Sequence, residues 1–102
     1  MGKYNDIWRA ELPFIKEAIR EGSGCKELNQ SAFTAVGSRA ASGYGFSLDI
    51  ENANVPRKPN SAVARDLKKE LDEDAEFRQL AQGKYIVIKM GKDFKLNVNV
   101  ND

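Results

Sequence analysis

Three stretches of this chain alternate apolar and polar residues with a period of two, a pattern that admits little besides half-buried β-strands. In GYGFSLDIEN, Tyr44, Phe46, Leu48 and Ile50 fall on one side and Gly45, Ser47, Asp49 and Glu51 on the other. KYIVIKM and FKLNVNV near the C-terminus behave alike and are separated by Gly91, Lys92 and Asp93. Their register follows from which faces match. A two-residue Gly91-Lys92 turn would set Ile86 and Ile88 opposite Asn97 and Lys95 and mix the faces. A three-residue loop pairs Met90 with Phe94, Ile88 with Leu96 and Ile86 with Val98, giving one continuous apolar face, and is the expected connection.

The remaining segments read as helices and loops. From Asn5 onward, Trp8, Leu12, Ile15 and Ile19 recur at helical spacing, with Asn5 or Asp6 as cap. Pro13 lies inside this pattern and cannot donate to the Arg9 carbonyl, which predicts a kink or a restart near Leu12. After EGSG, the step of four through Leu28, Ala32 and Val36 predicts a shorter second helix from Cys25 to Val36, closed by Gly37. NANVPRKPN is a loop, because Pro56 and Pro59 each remove a donor. Asn60 or Ser61 then caps a helix that carries Val63, Leu67, Leu71, Phe77 and Ala81 on one side and ends at Gly83, with the acidic run DEDAE a place for it to divide in two.

These elements predict an α+β, two-layer domain: a three-stranded antiparallel sheet (44–51, 84–90, 94–100) backed by helices, in the order α-α-β-α-β-β. Tyr85 and Val87 would lie on the opposite, mainly polar sheet face among Ser47, Asp49, Glu51, Lys89, Lys95, Asn97 and Asn99. A length of 102 residues suits one core, so residues 1–102 are expected to form a single domain.

Composition removes several classes of function. No apolar run approaches the roughly 20 residues that span a bilayer, and the first residues lack an apolar stretch behind a basic start, so neither a membrane span nor a secretory signal is expected. Cys25 is the single cysteine, which rules out an internal disulfide and suits a cytoplasmic protein. There is no histidine, hence no imidazole base, no Ser-His or Cys-His nucleophile pair and no common zinc site. A non-enzymatic chain without cofactor or metal is the expectation. With 16 Lys+Arg against 15 Asp+Glu, any affinity for nucleic acid must come from local asymmetry of charge.

Such an asymmetry exists in VPRKPNSAVARDL. Arg57 and Lys58 precede the helix that Asn60 or Ser61 caps, and Arg65, Lys68 and Lys69 follow on its outer side. Cations at a helix N-terminus oppose the macrodipole, and lysines that precede acids at i,i+4 are the weaker orientation for helix support. An anion at this end, foremost a phosphate of DNA or RNA, would offset the arrangement. The plainer reading leaves Lys68–Asp72 and Lys69–Glu73 as solvated pairs. The competing class is a protein-interaction or self-associating subunit that docks through the C-terminal strand edge at Asn97 to Val100 or through DEDAE.

Other features suit packing better than chemistry. Gly37, Gly43 and Gly45 around Arg39 lead into a strand, the reverse of a phosphate-binding loop, and the single glycine after AFTAV does not make a helix-turn-helix. Cys25 beside Lys26 has no histidine partner and reads as a small buried or half-buried filler. Asp49 and Glu51 share a sheet face, where contact with Lys89 or Lys95 would account for them. Trp8, Tyr44 and Phe46 belong to the expected core.

Overall fold

The computed structural model describes residues 2–29, 32–33, 45–91 and 93–102. Helix α1 spans Asn5–Arg20. Strands β1 (Gly24–Leu28) and β2 (Phe46–Glu51) follow, then helices α2 (Ala62–Glu73) and α3 (Ala75–Leu80), then strands β3 (Tyr85–Met90) and β4 (Leu96–Asn101). The strands form one antiparallel sheet in the order β1-β4-β3-β2. The α+β class is as expected; the sheet has four strands instead of three, and the order is α-β-β-α-α-β-β.

The additional strand replaces the start of the expected second helix. Gly24, Lys26 and Leu28 pair with Val100, Val98 and Leu96, so the segment lies along β4. The step-of-four pattern there rested on three residues, and Leu28 alone of them falls within the strand. Against it stood the outer backbone edge of β4, whose N–H and C=O groups need partners beside buried Val98 and Val100. The tertiary demand prevailed. Residues 30, 31 and 34–36 of the expected helix, and Gly37 expected to close it, lie outside the described residues. The C-terminal strand is therefore interior, with β1 on one side and β3 on the other, and among the described residues the outer strands are β1 and β2.

The β3–β4 register is two residues away from expectation. Met90 pairs with Leu96, Ile88 with Val98 and Ile86 with Val100, leaving 91–95 as the connection. A slip of two keeps every side chain on its face, so matching faces cannot detect it. What sets the longer loop is local: Phe94 takes φ 61°, its N–H donates to the Gly91 carbonyl at 3.1 Å, and Asp93 Oδ1 accepts the Lys95 N–H at 3.1 Å. Those bonds remove Phe94 from the ladder and carry β4 on to Asn101.

Helix α1 runs unbroken through Pro13, so the helix does not restart near Leu12. Pro13 is solvent-exposed, where water can serve the Arg9 carbonyl, while Trp8, Ile15 and Ile19 are buried on the opposite side and hold both halves to one core. The long helical segment does divide. Asp74 leaves helical geometry (φ −99°, ψ 105°), ends α2 and caps α3 by accepting the Phe77 N–H at 2.9 Å.

The core lies between the helices and one sheet face, where Phe46, Leu48, Ile50, Ile86, Ile88, Met90, Leu96, Val98 and Val100 are buried. At its centre the Trp8 ring meets Phe33 and Phe46 edge-on at 4.7 and 5.5 Å, and its Nε1–H donates to the Val63 carbonyl at 2.8 Å. That bond fixes the first turn of α2 against α1. Tyr44 lies outside the described residues. The radius of gyration, 12.4 Å, is close to the roughly 13 Å of a folded 100-residue domain. No helix among the described residues is long and apolar enough to cross a membrane.

Candidate functional site

The start of α2 is built from two unlike sides. Ser61 is its N-cap, extended at φ −152°, and accepts the Ala64 N–H on Oγ at 3.2 Å. Of the two residues expected to cap, Ser61 does so, and Asn60 is exposed just before it. The inner side is tied to α1. The Tyr4 N–H donates to Asp66 Oδ2 at 2.8 Å, Asn5 Nδ2 donates to the Asp66 carbonyl at 3.2 Å and to Glu70 Oε1 at 3.0 Å, and Arg9 Nε lies 3.0 Å from the same Glu70 oxygen. Asn5 and Glu70 are buried, so these bonds serve the Asn5 amide nitrogen and a Glu70 oxygen, which would otherwise be costly.

The outer side carries the cations. Arg65 and Lys69 are exposed one turn apart, and Lys68 beside them is half-buried and paired with Asp72. Lys58 and Arg57 are exposed in the loop before the cap. Among the described residues Lys58, Arg57, Arg65 and Lys69 make no ion pair. The expected pair Lys68–Asp72 is present, whereas Lys69–Glu73 is not among the ion pairs. Helix spacing brings Arg65, Lys68 and Lys69 together on one side of α2. Arg57 instead lines a cleft with two carboxylates.

That cleft, about 700 Å³ and open to solvent, is bounded by Asp49, Glu51, Asn52, Asn54, Val55, Pro56, Arg57 and Tyr85. Asp49, Glu51 and Tyr85 stand on the sheet face away from the helices, with Glu51 directly opposite Tyr85 in the β2–β3 register. Asn52 and Ala53 both have positive φ, 52° and 70°. Glu51 and Asn54 exchange backbone hydrogen bonds across them, which makes a two-residue turn of the primed type. The turn reverses the chain and brings 55–57 back beside the end of β2.

Asp49 was expected to meet a lysine across the sheet. It instead accepts the Tyr85 hydroxyl on Oδ2 at 2.8 Å, and among the described residues neither Asp49 nor Glu51 is ion-paired. The Asp49 carboxylate, with burial and the charge of Glu51 adding, pushes the Tyr85 phenol above its usual range. Cys25 also departs from expectation. It is exposed, because its place opposite Asn99 puts it on the outer sheet face.

A second cleft, about 560 Å³, runs along α1 past Arg9, Leu12, Pro13, Lys16, Glu17, Arg20 and Glu76. Its charges are consumed internally: Lys16 Nζ lies 2.7 Å from Asp74 and 3.1 Å from Glu76, and Arg20 lies 2.8 Å from Glu76. Hydrogen bonds to Asp74 and Glu76 raise the Lys16 ammonium above its ordinary value, and Lys16 and Arg20 hold the Glu76 carboxyl below its own. Among the described residues no group of three or more Cys, Asp or Glu side chains is placed to hold a metal ion. Comparison with protein-family models, curated proteins and solved structures yields no match.

Proposed function

We propose that this chain is a small non-enzymatic binding module that contacts phosphates of DNA or RNA at the start of α2, with Lys58, Arg65 and Lys69 as the cations. Ser61 caps the helix and Asn60 lies at its rim. One observation carries the reading: the cations of α1 are matched by carboxylates, while around the start of α2 only Lys68 is, and Lys58, Arg65 and Lys69 are in no ion pair among the described residues. A run of unmatched cations beside a positive helix end costs folding energy unless an anion offsets it. Nucleic-acid phosphate is a ligand whose repeated charge suits several cations spread over a helix side and its entry loop.

Fluorescence anisotropy with labelled 11-mers of single-stranded DNA, RNA and duplex DNA tests this. With about three phosphates engaged, log affinity should fall against log salt with a slope of about −2 for single strands and about −2.7 for duplex. The double variant R65E/K69E should weaken binding more than tenfold and flatten the slope. A salt-independent affinity, or one unchanged in that variant, would refute the reading.

Assembly with another protein remains the second reading, and its place moves. Since β4 is interior, the backbone edge that could accept a further strand is that of β1 or β2. Light scattering that finds self-association while nucleic acid does not bind would favour it.

A further inference from the structure

The cleft at the end of β2 holds charges of both signs that do not meet. Arg57, Asp49 and Glu51 all line it, and none of the three is within an ion pair among the described residues. Opposite charges that share a cleft without joining leave room for a ligand with hydrogen-bond donors at one end and negative charge at the other. We infer that this cleft is a nucleobase pocket that prefers guanine, read by Glu51 and flanked by the Tyr85 ring, with Arg57 toward the adjoining phosphate. The inference rests on the polyanion reading above and adds a base-reading contact next to it in the chain, since Arg57 in the cleft precedes Lys58.

The chemistry of the lining selects the base. An ionised carboxylate only accepts, so its partner edge must donate. The Watson–Crick edge of guanine presents two adjacent donors, N1–H and N2–H2, which fit the two oxygens of one carboxylate. Adenine and cytosine offer one amino group beside an acceptor, and thymine or uracil one N–H between two carbonyls that a carboxylate repels. Glu51 is the carboxylate available for this, since its side chain makes no hydrogen bond among the described residues, whereas Asp49 Oδ2 is held by the Tyr85 hydroxyl. That bond steadies the Tyr85 side chain, whose residue is 41% exposed and is the one large hydrophobic so exposed among the described residues. An exposed aromatic face beside base-reading side chains is how single-stranded nucleic acid is recognised. Asn52 and Asn54 place amide groups, which both donate and accept, on the same rim, able to serve the O6 acceptor. The segment that brings Arg57 to the cleft is constrained by the Asn52–Ala53 turn and by Pro56, which lowers the ordering cost of binding there.

The test uses labelled 11-mers of oligo-dT with dG, dA, dC or dT at the central position, together with free GMP and UMP followed by amide chemical shifts. Wild-type protein should bind the dG oligonucleotide about tenfold more tightly than the dT one, which is the scale of one bidentate base contact. E51Q should reduce that ratio below twofold while keeping the salt slope and the melting temperature, and R65E/K69E should weaken all four oligonucleotides with their order preserved. GMP, and not UMP, should shift the amides of 49–57 and Tyr85. Equal binding of all four bases, or a dG preference that survives E51Q, would overturn the pocket and leave the polyanion reading standing. Shifts by GMP without binding of any oligonucleotide would uphold the pocket and overturn that reading, and absence of both would overturn the two together.

Discussion

The cations of α1 and those around the start of α2 meet opposite fates in one small fold. Arg9 is bonded to Asp6 and Glu70, Lys16 to Asp74 and Glu76, and Arg20 to Glu17 and Glu76, so the helix α1 gives its positive charge to holding α2 and α3 in place. Around the start of α2, Lys58, Arg65 and Lys69 have no carboxylate among the described residues, although Glu73 lies one turn from Lys69. Net charge near zero conceals this division, since it sums the two regions. Charge paired between elements helps fix how they sit together, whereas the unpaired charge is what the proposed binding would use.

The largest effect that separates the two regions is expected at Glu70. Its carboxylate is buried and accepts from Asn5 Nδ2 and Arg9 Nε, so E70A leaves both donors short of a partner. Both keep a second contact, Asn5 with the Asp66 carbonyl and Arg9 with Asp6, which limits the cost to about 2 kcal/mol, or about 10 °C in Tm. R65E/K69E, two changes on the exposed side of the same helix, should alter stability by less than about 0.5 kcal/mol. A thermal melt in which the double variant loses as much as E70A would break the comparison.

A middle-sized effect is expected from pH. Burial pushes the Asp74 carboxyl up, but the Lys16 ammonium and the Phe77 N–H together hold it below its ordinary value of 3.8. A carboxyl lowered by folding contributes stability that is complete above its unfolded value and lost as pH falls through the folded one. Lys16, raised above 10.5, contributes fully below that value and loses its share as pH rises through the folded one. D74N keeps a good cap and removes the charge. Unfolding free energies from urea titration should therefore differ between wild type and D74N by up to about 1 kcal/mol near pH 7, and the difference should vanish in strong acid. An unchanged difference at all pH values would mean that Asp74 acts only as a cap.

The strands β2, β3 and β4 are legible in the sequence because burial on one face writes itself as alternation. The edge strand β1 is not, since of Gly24, Cys25, Lys26, Glu27 and Leu28 only Leu28 joins the packing, and the reason it is extended lies 70 residues away on β4. The β3–β4 register escaped for a different reason, that alternation is blind to an even slip. At the site, the basic run before and within α2 is plain, as is its conflict with the helix dipole. The cleft is not, because it depends on Asn52 and Ala53 turning Arg57 back past Asp49 and Glu51. The signals present were Asn52, which tolerates positive φ, and the proline that follows at position 56.

The smallest effect concerns the one cation of this group that is matched. Lys68 pairs with Asp72 at i,i+4 while its neighbours Arg65 and Lys69 do not pair. If paired charge is withheld from a ligand, D72N should release Lys68 toward the phosphates that Arg65 and Lys69 meet. One further contact to single-stranded nucleic acid steepens the salt slope by about 0.7 and strengthens binding a few-fold at low salt. Stability should change by only a few tenths of a kcal/mol, since a partly exposed helix pair contributes little. Combining D72N with K68A separates release of the ammonium from loss of a repelling carboxylate: if the extra slope depends on Lys68, K68A removes it. An affinity gain that persists in the combined variant would mean that Asp72 acts by repelling the ligand, and that pairing within α2 does not decide which cations are available.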